Sequence, residues 1–283
     1  MKYKHFKQAL LFKVGSINNL KFHFMLEKKD HYTGRELWKD MPEWKRKKDV
    51  HLCRYFFRPI SFYISAWCAN RGISANTVSY FSIFIALAAC ICFIVPGYWW
   101  HIAGAILVNI WYLSDTVDGN IARSVKKQPF GAFADAASSY ILVGFLGACI
   151  GYSVYTDGGM FVTSGCALII LVGALGTTSD TMMRLIYQKY KSCERELQDK
   201  GILQVEYDQR IDENATTSLL VRLEEWLGIG GYLAIFILLA AIFNALDIIV
   251  FYCFCYYGGS FVVMTLKYCR KAIKLAKENE DKM

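Results

Sequence analysis

Residues 73–114 contain no Lys, Arg, Asp or Glu. At about 1.5 Å per helical residue, that stretch covers roughly two bilayer crossings. The runs 136–156 and 158–179 lack the same residues, as do 226–246 and 248–266, which only Asp247 separates. Such gaps in charge exclude an ordinary soluble domain. With Asp157, Gly158 and Gly159 as a turn, they predict an all-α integral membrane protein with six transmembrane helices in three hairpins. Lys and Arg are also missing from the three hairpin tips, around Pro96–Gly97, Asp157–Gly159 and Asn244–Asp247. Sixteen of the 32 basic residues precede residue 76, three lie in 115–135, seven in 180–225 and six after 266. By the positive-inside bias, both termini face the cytosol.

Other absences narrow the function. Cys90/Cys92 and Cys253/Cys255 resemble metal pairs, but residues two apart on a helix do not share a face, and neither pair has a His partner. Buried thiols acting as small hydrophobes fit the ten cysteines better, and a disulfide framework does not suit cytosolic or in-membrane positions. The five histidines offer no base: His101 is near the outer face, His51 lies on an interfacial segment, and the rest precede residue 32. There is no charge at mid-span depth and no pair of broken helices, which argues against a transporter. The chain has no internal repeat. Its net charge of +8 flanks apolar spans, so the expected partner is anionic lipid and not nucleic acid.

Residues 1–42 read as a basic cytosolic extension. In 43–72, Lys45–Lys48 leads into Phe56, Ile60, Tyr63/Ile64 and Trp67, an apolar stripe at helical spacing with Arg54 and Arg58 alongside. That pattern predicts an amphipathic helix in the head-group layer, ahead of the membrane domain over 73–268. Asn70–Gly72 breaks this helix, and Ser74–Thr77 offers capping oxygens for the first span. Residues 185–225 form a charged cytosolic segment, with helix expected over 187–197 and 218–226, and 269–283 a cytosolic tail. Asn214 begins a glycosylation sequon, taken as chance on the cytosolic side.

Three aspartates stand at the inner membrane boundary. Asp115 and Asp118 are three apart and project from one face of the second span; Asp135 opens the third. Carboxylates beside a bilayer core are costly unless paired or metal-bound. Interfacial ion pairs, Asp118 with Arg123 or Asp135 with Lys126, are the plainer reading of any one of them. Three at this spacing, with Gly119, Ala122 and Arg123 between, point to divalent cations holding a phosphorylated ligand. The small residues allow close approach, and the arginine can fork onto phosphate oxygens.

These residues resemble the CDP-alcohol phosphotransferase signature, D-x-x-D-G-x-x-A-R followed by G-x-x-x-D-x-x-x-D. Asp115, Asp118, Gly119, Ala122, Arg123, Gly131 and Asp135 fill it in order. The resemblance extends over roughly 43–268. It implies Mg²⁺- or Mn²⁺-dependent transfer of a substituted phosphate from a CDP-linked donor to an alcohol acceptor, with release of CMP, in phospholipid or glycan synthesis. A six-span chain of this size leans to a lipid donor such as CDP-diacylglycerol. Asp115, Asp118 and Asp135 would then be metal ligands; Asp118, Gly119, Ala122, Arg123 and Gly131 would line the CDP pocket. Dimerisation is common in the family, so a homodimer is expected by analogy.

One position departs from the signature. The fourth aspartate, usually the general base, is Ser139 here. Three explanations stay open. Another carboxylate acts, such as Asp135 or Asp180, the latter with Arg184 one turn on beside the acceptor, although that pair also reads as a helix-terminal ion pair. The acceptor is easily ionised and needs little base. Or the chain is a lapsed CDP- and metal-binding scaffold.

Overall fold

The computed structural model describes residues 31–203 and 226–279, and among these every regular element is helical. Thr33 opens the described fold with a capping box: its hydroxyl accepts from the Glu36 N–H, and the Glu36 carboxylate accepts from the Thr33 N–H. The short helices α1 (Gly34–Asp40) and α2 (Glu43–Lys48) lead through a π turn, Cys53–Phe57, into α3 (Arg58–Asn70). Ser74 then caps α4 (Ala75–Ile94), accepting from the Thr77 N–H at 3.2 Å, as the sequence leads one to expect. The turn at Pro96–Gly97, with Gly97 at φ 125°, reverses the chain into α5 (Tyr98–Ser124). A linker leads to α6 (Gly131–Asp157), which pairs with α7 (Leu168–Asp199). After the segment outside the described residues, a second π turn, Ile229–Leu233, precedes α8 (Ala234–Ile242), and α9 (Leu246–Glu278) closes the fold.

Among the described residues, four helices are long and apolar enough to cross a membrane: α4, α6, α7 and α9. This departs from the expected six. α5 has the length, but Tyr98, Trp99, Trp100 and His101 open it and Asp115, Asp118 and Arg123 lie in its last three turns. The fifth expected span, 226–246, is a shorter apolar helix over Ile229–Ile242, interrupted at Gly231 by a non-helical backbone. At 1.5 Å per residue that helix covers about 20 Å, short of a hydrocarbon core of about 30 Å.

α4 packs on α5 and α6, α7 on α6 and α9, and α8 on α5. Glycines let α6 and α7 meet backbone to backbone: a Cβ on Gly173 would lie only 2.1 Å from the Gly147 carbonyl oxygen. Large apolar side chains such as Phe84, Leu171 and Val263 face outward, as suits lipid. Residues 187–197 are helical as expected, but continue α7 without a break, and the tail from Lys267 likewise continues α9. The two extensions meet through Tyr187, Tyr190 and Tyr268 and a 3.5 Å Lys271–Glu194 pair. Most of the expected helix over 218–226, the sequon at Asn214 and the extension before residue 31 lie outside the described residues.

The end of the bundle where α9 begins is tied by one carboxylate. Asp247 is fully buried and accepts from the N–H groups of Met160, Phe161 and Val162 at 3.2, 2.6 and 3.0 Å. His101, expected near the outer face, is buried at this end, 3.6 Å from Asp157.

Candidate functional site

Two helices bring the aspartates together. Asp115 and Asp118 sit one turn apart on α5, and the linker after Ser124 returns the chain so that Asp135 opens the first turns of α6. One carboxylate oxygen from each residue lies within 4.8 Å of the others. Asp118 is buried and accepts from Ser79 Oγ of α4 at 2.6 Å; Asp115 is half-buried and Asp135 exposed. None of the three makes an ion pair among the described residues, so the pairings with Arg123 and Lys126 weighed from sequence do not form. Three carboxylates this close repel one another unless protons or a cation intervene. Gly119 has a defined task here: a Cβ would fall 2.7 Å from Arg123 Nη2, so the missing side chain lets the guanidinium fold back beside the carboxylates.

The cluster opens into a cavity of about 440 Å³, within the ordinary range for small-ligand sites. Asp115, Asp118, Gly119, Arg123 and Asp135 line it, and α7 adds Asp180 and Arg184. Arg184 Nε donates to Asp180 Oδ2 at 2.5 Å, so this pair is both an ion pair and part of the cavity wall. Ala122, Gly131 and Ser139 do not line the cavity. Ala122 packs on the cluster of Cys68, Ala75, Val117 and Ile121, while Gly131 faces Asn76. Ser139 stands one turn beyond Asp135; its neighbour Ser138 turns inward to Ser82 and accepts from Trp111 Nε1.

The segment before the first span supplies residues that sequence reasoning missed. Arg58, which the sequence places only alongside the apolar stripe, is buried at 3% exposure and lines the cavity. Its guanidinium donates to both Asp49 oxygens at 2.7 and 3.0 Å and to Asn120 Oδ1 at 2.5 Å. Asn120, an unassigned position in the signature, donates in turn to Ser61 Oγ. Burial opposes the charge on Asp49, but the bonds from Arg58 and Lys45 outweigh it and hold the carboxyl below its ordinary value. Phe56, Ile60, Tyr63 and Trp67 are exposed, while Arg58, Ser61 and Ser65 turn toward the protein. The polar side of α3 is thus the inward one, and no periodicity reveals that inversion. Across the cavity, Tyr112 donates to the Gly230 carbonyl at 2.6 Å, holding the stretch before α8 in the wall.

Over 125 residues the chain is 29% identical to a protein of Streptomyces avermitilis described as phosphatidylinositol phosphate synthase. The alignment covers 44% of this chain and 49% of that protein, so the chain matches about half the length of this curated relative. The sequence model of the CDP-alcohol phosphatidyltransferase family matches residues 73–243, from just before α4 to just past α8. All three clustered aspartates fall inside that match; Lys45, Asp49 and Arg58 fall outside it. On this match the chain belongs to the CDP-alcohol phosphatidyltransferase family.

Proposed function

We propose that this protein transfers a substituted phosphate from a CDP-linked donor to the hydroxyl of an alcohol acceptor, releasing CMP. The observation that carries the reading is a cluster of three carboxylates that form no ion pair among the described residues, set in the wall of a cavity inside the family match. The relative's name is that of a phospholipid-forming enzyme, which supports CDP-diacylglycerol as donor over other CDP-alcohols. The distribution of basic residues supports six crossings, with α5 and the short α8 completing the set, and a cytosolic site and termini. The outward aromatic stripe of α3 supports its lying in the head-group layer.

The donor set fits a hard divalent cation. Asp115, Asp118 and Asp135 offer only oxygens, converging within 4.8 Å, and no lysine or arginine forms an ion pair with them among the described residues. Bound there, Mg²⁺ or Mn²⁺ would neutralise charge on the diphosphate of the donor. Arg123, folded over Gly119, is placed to fork onto the same phosphate oxygens. In the transfer, the acceptor oxygen bonds to the donor's β-phosphorus. The bond from that phosphorus to the bridging oxygen breaks, and CMP leaves with the electron pair. The hydroxyl proton passes to a carboxylate. Asp135 suits that task best: it is exposed, whereas Asp180 is held by Arg184 and Asp49 by Arg58. The Asp180–Arg184 pair orients the acceptor, and Ser139 stands aside from the reaction.

The test is CMP release from CDP-diacylglycerol by the reconstituted protein, with polyols and their phosphates as acceptors and Mg²⁺ present. Release that stops with a chelator is the expected result. A folded preparation that binds CDP but releases no CMP from any CDP-linked donor would instead mark a lapsed enzyme.

A further inference from the structure

A second cavity, of about 630 Å³, lies among α1, α2, the first π turn and the start of α3. Its wall carries four cations, Lys39, Arg46, Arg54 and Arg58, against two carboxylates, Glu43 and Asp49. Asp49 is already engaged by both Arg58 and Lys45. The guanidinium of Arg46 is fixed: Nη2 donates to the Trp38 and Lys39 carbonyls at 2.7 and 2.9 Å, and its carbon stands 5.5 Å over the Trp38 ring. Its Nε–H is buried with no acceptor. Arg54 is fixed too, donating to the Arg46 carbonyl. A buried donor without a partner is costly and asks for an acceptor. The surplus of fixed cations asks for a negatively charged one.

We propose that this cavity binds a phosphate-bearing anion, held by Lys39, Arg46 and Arg54. A tetrahedral oxyanion suits planar guanidinium forks and offers enough acceptors for several of them at once. The chemistry is shared by a lipid head group and by a free phosphate. The site lies beside Tyr55 and Phe56, which are exposed on the outward face of the π turn, so a lipid head group can reach it from the membrane surface. Arg58 and Asp49 belong to this cavity and to the aspartate cavity alike. An anion here therefore meets a residue of the proposed active-site wall from behind. The site itself is independent of the transfer reaction and stands or falls separately from it.

Two probes distinguish the sources, both applied to the full chain in nanodiscs. The first is inorganic phosphate, titrated in phosphatidylcholine discs at ionic strength matched with sodium chloride and read by the thermal melt. The second is phosphatidylglycerol in the discs, read by native mass spectrometry as lipid retained after extraction. The variants are Lys39→Gln, the double Lys39→Gln/Arg54→Gln, and Arg123→Gln as a control in the other cavity. A single lost contact should weaken the phosphate response about threefold and the double about tenfold or more. Arg123→Gln should leave it in place. Lys39 is exposed and makes no ion pair among the described residues, so its variant should melt normally without phosphate. Arg54→Lys, which keeps the charge, should recover part of the response. A phosphate response with this pattern identifies a soluble anion. No phosphate response, with one retained phosphatidylglycerol lost in the double variant, identifies a head group. If neither probe distinguishes the double variant from wild type, or if only Arg123→Gln abolishes the response, the proposal is overturned.

Discussion

At the end of the bundle where α9 begins, the Asp247 carboxylate is enclosed by three N–H groups of the α6–α7 loop and by its own helix's Ile248 N–H. About 18 residues along α5 from that end, or roughly 27 Å, Asp115 and Asp118 meet Asp135, and Ser79 Oγ donates to Asp118. The first arrangement is a finished structural tie, because each oxygen has its donors. The second leaves lone pairs turned toward one another and into a cavity, which costs stability unless something positive arrives. Acidic residues near a membrane boundary are thus not equivalent. What separates a strut from a site is whether the fold itself satisfies the charge.

The comparison can be broken most forcefully at the open end. Asp118→Asn or Asp115→Asn should lower CMP release by about 10²-fold or more, while the melting temperature without metal holds or rises as repulsion is relieved. A variant that keeps full activity would remove the metal role. At the closed end the expectation reverses. Asp247→Ala should cost about 2–4 kcal/mol by stranding the loop's N–H groups, read as a lower thermal midpoint, with specific activity of the remaining folded protein unchanged. Loss of activity at unchanged stability would contradict a structural role there.

The Asp49–Arg58 pair lies between these extremes, being satisfied and yet part of the cavity wall. Its carboxyl is depressed in the fold, so its contribution is present above the unfolded value near 3.8 and is lost as pH falls through the lower folded value. Hydrogen exchange at the α3 amides should therefore accelerate below about pH 4, and Asp49→Asn should remove that acid-dependent step. The smallest effect is expected at Ser139→Asp. Because Ser139 does not line the cavity, CMP release should change by about twofold or less. A large gain would mean that the serine had silenced an enzyme.

Much of the open end was legible. Asp115, Asp118 and Asp135 were readable because charge is so rare around them, and the cap at Ser74 and the turns at Gly97 and Gly158 followed from local chemistry. Other features needed the third dimension. Arg58 is indistinguishable by sequence from Arg54, since only packing decides which of two nearby arginines faces inward. Asp247 looked like a mere separator because its partners are backbone amides more than eighty residues earlier. The shortness of α8 depends on the broken backbone at Gly231, which apolar composition conceals.

The glycine contact between α6 and α7 has a consequence for the mechanics of the site. Side-chain packing is compressible by rotamer changes, whereas two backbones in direct contact have nothing left to yield. Gly147 touches Gly173, and seven residues beyond Gly173 stands Asp180, while Asp135 lies twelve residues before Gly147. The two helices meet there as one unit, so the close backbone contact fixes their spacing. Room for a substrate must then come from the other walls, α3 and the stretch before α8, which are tied to the bundle by side-chain hydrogen bonds such as Arg58–Asn120 and Tyr112–Gly230.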